Sequence, residues 1–304
     1  MKSNLKFGLA GRYRLTACKL DDAGNVISER LLADWFPNEI TDIGLNALGG
    51  GQVWIYCRVG SGSTPPATTD TQLVAQLGST STSTGTVNGN SGAAPWYGYS
   101  RRTYRFAAGV ATGNVSEVGV GWAATGATLF SRALVRDEEG DPVTVTVLAD
   151  EVLDVVYEAR MYAPYTVDTA FDVVISGVTY SVTGRVALAA NWNPNYVMNN
   201  GFTGGGWFTP YTGSLGTVTQ SPSGTAGGDA GGSLAAYANN SLTRSGNFSW
   251  GLDSGNLAGG IKSIRHTVSF AEIYFQFEFS TAIPKNNTKT LTLGFSYTWG
   301  RYAP

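Results

Sequence analysis

Few residues of this 304-residue chain have side chains and spacing suited to acid–base or nucleophilic chemistry. The single histidine, His266, lies between Arg265 and Thr267, and neither a second histidine nor a cysteine stands near it in the sequence. A serine nucleophile needs an adjacent base, and no Gly-x-Ser-x-Gly motif occurs in a strand-turn-helix context. We therefore predict no catalytic residue and no metal ligand at His266.

Paired carboxylates are the remaining route to an enzyme, because glycoside hydrolysis needs two acids that face one cleft. Asp150, Glu151 and Asp154 lie close together in the sequence, at the point where a turn enters a strand. Acidic residues are common in turns for reasons of backbone hydrogen bonding. We interpret these three acids as structural and predict that the chain is not an enzyme.

The sequence contains no recognisable motif that would bind a metal ion or a cofactor. The acidic turns at residues 21–25 and 137–141 could supply oxygen ligands to calcium, but neither has the spacing of an EF-hand. The glycine runs at residues 49–51 and 204–206 lack the Lys-Ser/Thr pair of a phosphate-binding loop. We predict no metal and no cofactor.

Recognition by aromatic side chains is the one binding chemistry that the sequence favours. Tryptophan and tyrosine bury a large area at low entropic cost and dominate interface hot spots. Residues 191–260 combine glycine runs with such side chains, and the alternative is that they fill a small core under long loops. The predicted interaction residues are Trp192, Tyr196, Phe202, Trp207, Phe208, Tyr211 and Trp250.

Charge is scarce in this protein. Charged residues make up 14% of the chain, glycine contributes 40 residues, and the formal net charge is -2. Such a chain has no field that would concentrate nucleic acid or an anionic membrane, so we predict neither as a partner. Weak self-repulsion favours association with other protein surfaces.

Two further features concern the cell compartment. Cys18 and Cys57 lie in strand-like segments without a metal or redox motif; we interpret them as buried apolar residues, and a disulfide between them is the alternative. Residues 1–10 lack the apolar run of a signal peptide, and no stretch is long and apolar enough to cross a bilayer. We predict synthesis in a cytoplasm and no membrane insertion.

The first half of the chain consists mainly of strand patterns. Residues 6–32 predict a hairpin that turns at residues 21–25, and residues 41–48 predict a short helix capped by Thr41. A capping-box pattern predicts a helical turn or two within residues 69–77, and residues 78–95 predict an exposed loop. Further strands are predicted at residues 53–59, 101–107, 115–122, 128–135, 143–147 and 152–162.

The second half begins with a predicted hairpin over residues 171–188 that turns at Ser176 and Gly177. Residues 191–260 predict long ordered loops. Two strands near residues 272–279 and 290–299 are predicted to close the chain as a hairpin through residues 280–289. We expect an all-β protein with two antiparallel β-sandwich-like domains, at residues 1–164 and 165–304, with short helical turns and long glycine- and aromatic-rich loops.

Several stretches resemble a pattern common in tail, fibre and minor structural proteins of tailed bacteriophages. They include Ile-Thr-Asp-Ile-Gly-Leu-Asn and Val-Gly-Ser-Gly-Ser-Thr-Pro-Pro followed by Thr-Asp-Thr-Gln-Leu, and the resemblance covers about residues 40–162. The stretches that carry it lie at residues 40–46, 59–66, 69–73, 113–120, 129–135 and 150–158.

The resemblance implies a virion structural protein, a tail-tip, baseplate or collar component that assembles in symmetric copies and anchors neighbouring tail proteins or fibres. Its expected partners are copies of itself and other phage tail or neck proteins, and its expected location is the virion tail. One alternative is a receptor-binding protein that recognises a host surface glycan or protein. A second alternative is a polysaccharide-degrading enzyme resembling a tailspike.

Overall fold

The computed structural model describes residues 2–165, 167–193, 200–268 and 272–303. Strands account for 53% of the residues and helix for 4%, so the predicted all-β class is confirmed. The finer expectation of two sandwich-like domains stays a prediction. Within the described ranges, no helix is long and apolar enough to cross a membrane.

Over the described residues, the strands are joined by turns and longer connections, and the connection between the third and fourth strands contains the α-helix α1 (Asp42–Gly49). A 3₁₀ turn lies at Ala189–Asn191. The strands are β1 (Lys2–Leu20), β2 (Val26–Pro37), β3 (Glu39–Ile40), β4 (Tyr56–Gly60), β5 (Gln76–Thr80), β6 (Ser83–Asn90), β7 (Tyr97–Phe106), β8 (Gly113–Val115), β9 (Glu117–Gly121), β10 (Leu129–Leu134), β11 (Val145–Val147), β12 (Val152–Tyr162), β13 (Thr169–Ile175), β14 (Val178–Ala187), β15 (Trp207–Tyr211), β16 (Ala230–Leu234), β17 (Thr243–Trp250), β18 (Ile261–Val268), β19 (Ile273–Ile283) and β20 (Leu291–Arg301).

The chain divides into two compact units, and neither is a continuous stretch. Unit 1 contains Met1–Gly8, Gly89–Tyr99 and Met161–Pro304, and unit 2 contains Leu9–Asn88 and Ser100–Arg160. This division differs from the expected ranges 1–164 and 165–304, because residues 1–8 and 89–99 pack with the C-terminal part. Strands β1, β6, β7 and β12 each contain a point where the chain passes from one unit to the other.

Unit 2 contains two larger sheets. In one, the strand order is β2-β1-β12-β7-β6, and in the other it is β3-β10-β9-β4-β5. Their facing sides meet in a buried aromatic core, where the Tyr13 hydroxyl lies 2.6 Å from the Ser131 hydroxyl. The Trp54 ring packs against Phe130 and Tyr157 at centroid distances of 4.4 and 5.8 Å. Cys18 and Cys57 are both free thiols and both are buried.

A buried ion pair holds the segment between β4 and β5 in place. The Glu117 carboxylate is fully buried and accepts hydrogen bonds from the backbone N–H groups of Gly62, Val74 and Ala75. Arg132, also fully buried, donates from Nε to Glu117 over 2.8 Å. Its two other nitrogens donate to the Asp70 carboxylate and the Thr64 carbonyl, each over 2.8 Å.

Helix α1 begins as the sequence predicts. Thr41 is its N-cap, and the hydroxyl accepts a hydrogen bond from the Gly44 N–H over 3.0 Å. The same hydroxyl donates to the Leu129 carbonyl over 2.6 Å and so ties the helix to β10. Glycine at position 44 is required by this packing, because a Cβ there would stand 2.5 Å from the Phe130 carbonyl oxygen.

Replacing Thr41 with valine keeps the shape of this buried side chain and removes both hydrogen bonds. We expect the free energy of unfolding to fall by about 1–2 kcal/mol, since a lost cap costs about 1 kcal/mol and a buried carbonyl loses its donor. Urea denaturation measures the change. Replacement with serine retains the hydroxyl and serves as the matched control, and an equal loss in both variants would contradict the hydrogen-bonding argument.

In unit 1 the strand order is β13-β14-β19-β18-β15-β16-β17-β20. This sheet is curled, as contacts between side chains of non-neighbouring strands show. The Phe208 ring of β15 stacks on Phe248 of β17 with centroids 3.9 Å apart. His266 of β18 is hydrogen bonded to Tyr297 of β20 over 2.7 Å. The interior of unit 1 is therefore an aromatic core.

Three sequence-based predictions about this architecture are wrong. Residues 69–77 form no helical turn. The backbone N–H groups of residues 74 and 75 donate hydrogen bonds to the Glu117 carboxylate, and strand β5 starts at Gln76. Residues 78–95 are not a loop, since they include most of β5 and all of β6. Strands β19 and β20 are not a hairpin, because β19 pairs with β14 and β18 whereas β20 pairs with β17 and β1.

Candidate functional site

Most of the aromatic residues predicted to bind a partner are buried. Tyr196 lies outside the described residues. Among the other six, only Trp207 is exposed, at 38% of its maximum. The five buried side chains are Trp192, Phe202, Phe208, Tyr211 and Trp250.

These buried aromatics are integral to the packing of unit 1. The indole N–H groups of Trp192 and Trp250 donate to the carbonyls of Ala187 and Gly228. Phe202 stacks on Trp299 with ring centroids 4.2 Å apart. Glycines between the aromatics make room for the rings, since a Cβ at Gly232 would stand 2.2 Å from the Phe248 ring. Among the six described members of the set, Trp207 is the one with an exposed side chain, and the recognition role stays a prediction.

His266 is fully buried among aromatic rings. The Tyr297 hydroxyl donates to the Gly205 carbonyl over 2.6 Å, so its oxygen accepts the hydrogen bond from His266 Nε2. The opposite ring nitrogen, Nδ1, has no hydrogen-bond partner among the described residues. Burial lowers the pKa of His266 to about 3. The ring is thus a neutral core residue.

Each of the three clustered acids near the start of β12 has its own cation. Asp150 pairs with Lys19 at 2.8 Å, Glu151 with Arg30 at 2.7 Å and Asp154 with Arg105 at 2.6 Å. Hydrogen bonds from those cations lower the pKa of Asp150 and the pKa of Glu151. The geometry matches the structural interpretation of these acids. Over the described ranges, no three histidine, cysteine or acidic side chains converge as a metal site would require.

A different set of charged side chains converges in unit 2, on the outer face of the sheet that contains β1, β7 and β12. Alternate residues of these strands point to opposite faces. On β12, Leu153, Val155 and Tyr157 are buried inward. Glu158 and Arg160 project outward, where they meet arginines from the neighbouring strands.

We call Arg12, Arg101, Arg160 and Glu158 the arginine cluster. Glu158 accepts hydrogen bonds from Arg12 over 2.8 Å and from Arg160 over 2.6 Å, and it also pairs with Arg101. Only 1% of the Glu158 side chain is exposed. Burial alone would raise the pKa of Glu158, but the three arginines overcome this effect and hold it below its usual value.

The arginine cluster carries more positive than negative charge. The cluster contains three guanidinium groups and one carboxylate, so the formal charges of its four members sum to +2. The three arginine side chains remain 22–36% exposed. Trp35 of β2 covers the cluster on one side, with Arg12 lying 4.2 Å from the ring centroid. This cation–π contact fixes the orientation of the guanidinium group.

An acidic turn with the opposite charge connects β10 to β11 in the same unit. Residues 137–141 are all exposed, and they include Asp137, Glu138, Glu139 and Asp141. The turn is rigid, because the Asp137 carboxylate accepts the Asp141 N–H over 2.8 Å and the backbone pairs again at 3.0 Å. No ion pair found in the described part of the chain uses any carboxylate of this turn.

Sequence reasoning did not find the arginine cluster. A strand was predicted at residues 152–162, and the charged residues Asp154, Glu158 and Arg160 at alternate positions of it are a local sign of a charged face. Arg12, Arg101 and Glu158 are far apart in the chain, and their convergence depends on which strands are neighbours and in which register. The acidic turn was recognised, but as a remote calcium-binding possibility.

Comparison with known proteins finds no matching family model, no matching curated protein and no matching solved structure.

Proposed function

We propose that this protein is a structural component of a tailed-phage virion, at the tail tip, baseplate or collar, which assembles in symmetric copies and anchors neighbouring tail proteins or fibres. The observation that supports assembly is the pair of complementary charged surfaces in unit 2. The assignment to a phage virion rests on the resemblance of residues 40–162 to tail and fibre proteins.

Two different and complementary surfaces on one chain are what a head-to-tail contact requires, and such contacts close into rings when the rotation is right. The arginine cluster of one copy would receive the acidic turn of the next. Charge complementarity of this kind accelerates encounter and selects the partner and its orientation. Because the net charge of the whole chain is only -2, long-range repulsion between copies is weak.

Reversing the charge of the acidic turn tests this proposal. The double variant Glu138→Lys/Glu139→Lys changes two exposed side chains outside the hydrophobic core. We expect the wild-type protein to form oligomers at micromolar concentration in 50 mM NaCl and the variant to associate at least tenfold more weakly. Raising NaCl to 500 mM should weaken the wild-type association as well, because salt screens exposed charges. Light scattering and sedimentation velocity measure both effects.

The variant Asp22→Lys/Glu29→Lys is the matched control. It makes the same change in net charge at two other exposed positions of unit 2. It should associate like the wild type. A wild-type protein that stays monomeric at micromolar concentration, or two variants that weaken association equally, would contradict the proposed contact.

A receptor-binding protein is the second candidate. It is favoured by Trp207, a large aromatic side chain that stands exposed at the start of β15. Tryptophan is strongly enriched among residues that dominate binding energy. The two candidates are compatible, since Trp207 belongs to unit 1 whereas the arginine cluster and the acidic turn belong to unit 2.

A further inference from the structure

Unit 1 contains a cavity of about 280 Å³ beside the loop that connects β19 to β20. This volume lies close to the lower bound of about 300 Å³ for ligand pockets. The walls come from the turn between β13 and β14, from the end of β19 and from the start of β20. Its lining includes Ile175, Val178, Tyr180, Ile283, Lys285 and Leu291.

The cavity has a buried apolar floor and an exposed rim. Tyr180, Ile283 and Leu291 are 4–7% exposed and form the floor. Val178, at 52% exposed, and the exposed Lys289 stand at the rim. A floor of this kind favours an apolar ligand body, whereas polar groups placed around it select the orientation.

Lys285 is a buried cationic residue of the lining. Only 4% of this residue is exposed. Its ammonium group donates to the Asn256 side-chain oxygen over 2.6 Å and to the Asn286 carbonyl over 3.0 Å. An ammonium group has three N–H donors, and no acceptor for the third is found among the described residues. Both partners are neutral, so no carboxylate is hydrogen bonded to this buried charge.

Lys285 is held in place by a rigid surround. The Asn256 amide donates to the Leu252 carbonyl over 2.6 Å, which turns its oxygen towards the ammonium group. The Asn286 side chain accepts the Thr288 N–H over 3.0 Å, and the Lys289 N–H donates to the Asn286 carbonyl over 3.2 Å. This turn places the second lysine at the rim of the same cavity.

We propose that the cavity binds a small organic acid with an apolar body, whose carboxylate pairs with Lys285 while the body lies on the floor formed by Tyr180, Ile283 and Leu291. A buried charge is costly without a counter-ion, and a carboxylate ligand supplies one together with an acceptor for the remaining N–H. Lys289 adds a second positive charge at the entrance. This site is independent of the proposed assembly, which involves unit 2.

The electrostatics of Lys285 agree with this geometry. Desolvation lowers the pKa of Lys285, and Asp253, which acts in the opposite direction, does not restore it. Asp253 is exposed and makes no hydrogen bond to the ammonium group among the described contacts. The local environment therefore contains a cation that an anionic ligand would stabilise.

Benzoate and benzamide form a matched pair of probes, since they share a ring and differ in charge. We expect benzoate to bind the full-length protein at least tenfold more tightly than benzamide, as measured by chemical-shift titration. In Lys285→Met, which retains the length of the side chain and loses the charge, the affinity for benzoate should fall at least tenfold. The exposed Lys6, which does not line this cavity, supplies the control, and Lys6→Met should bind benzoate like the wild type.

A second variant covers the case in which Lys285→Met fails to fold. Val178→Trp fills the rim from a half-exposed position on a hairpin and leaves Lys285 unchanged, and it should also reduce benzoate binding at least tenfold. Equal affinity of the wild type for benzoate and benzamide, no binding of either probe, or unchanged benzoate binding in the folded variants would overturn the proposal.

Discussion

Replacing Arg132 with methionine is expected to lower the free energy of unfolding by about 3–5 kcal/mol, because it leaves a buried carboxylate without its counter-ion. Glu117 is fully buried and would retain only its three backbone hydrogen bonds. Asp70 and the Thr64 carbonyl would lose their partner as well. Domains of ordinary size are stable by only about 5–15 kcal/mol, so this change removes a large part of the total. Denaturation in guanidinium chloride measures it.

The double variant Glu117→Gln/Arg132→Met separates the ion pair from simple packing. Removing both charges costs less than leaving one of them buried, so we expect the double variant to be more stable than Arg132→Met alone by at least about 1 kcal/mol. Lys19→Met is the control, because it removes an exposed ion pair with Asp150 and should cost much less than Arg132→Met. Equal losses in Lys19→Met and Arg132→Met would contradict the importance of burial.

Acid should destabilise the protein through His266 before any carboxylate with a lowered pKa contributes. The pKa of His266 is about 3 in the folded protein, whereas its ordinary value is 6.5. The unfolded chain therefore takes up a proton below pH 6.5 that the folded chain does not. Stability is fully present above pH 6.5 and falls as the pH decreases, by about 1.4 kcal/mol per pH unit.

Between pH 7 and pH 4.5 the expected loss from His266 is roughly 2–3 kcal/mol. A glutamate whose pKa is lowered in the fold, such as Glu158, reduces the stability of the protein only when the pH falls below 4.5, the ordinary pKa of glutamate. Glu272, whose pKa desolvation raises, acts in the opposite direction and equally in every variant that retains it. Above pH 4.5, the difference between the wild type and a variant without the histidine therefore reports the titration of His266.

His266→Gln keeps an N–H donor for the Tyr297 hydroxyl and removes the titration. The free energy of unfolding of this variant should change by less than about 1 kcal/mol between pH 7 and pH 4.5, because glutamine takes up no proton in this range. Urea denaturation at pH 7, 6, 5 and 4.5 gives both profiles. Parallel profiles for the wild type and His266→Gln would mean that the histidine is not the source of the pH dependence.

Local patterns in the sequence predicted most individual strands of this fold. The alternation in β12 and the Ser176–Gly177 turn between β13 and β14 appear where expected. The Thr41 cap of α1 is also present. These features depend on neighbouring residues alone. The pairing of β19 and β20 was wrong because nearness in sequence does not decide which strands become neighbours in a curled sheet.

Residues 191–260 show a second limit of prediction from the sequence. Glycine runs there suggested loops, yet β15, β16 and β17 lie within it. Glycine at positions 232 and 246 allows a ring or a carbonyl of the adjacent strand to approach closely, and it does so within regular strands. The burial of Phe208, which stacks on Phe248, follows from that packing. Neither effect leaves a periodic pattern that the sequence could display.

The arginine cluster and the Lys285 cavity were not predicted for a related reason. Each is assembled from residues that are distant in the chain, such as Arg12 with Glu158 and Lys285 with Tyr180. A charge or a lysine in isolation has no identifying spacing. Only the strand order and register bring the members of each set together.

The interleaving of the two units has a consequence for the way the gene can be cut or recombined. A fragment that begins after residue 164 would lack two of the stretches from which unit 1 is built, residues 1–8 and 89–99. The complementary fragment would carry those stretches without the rest of their core. Neither half is a transferable module, so we expect chimeras of this protein to fold only when they exchange internal loops or the entire chain.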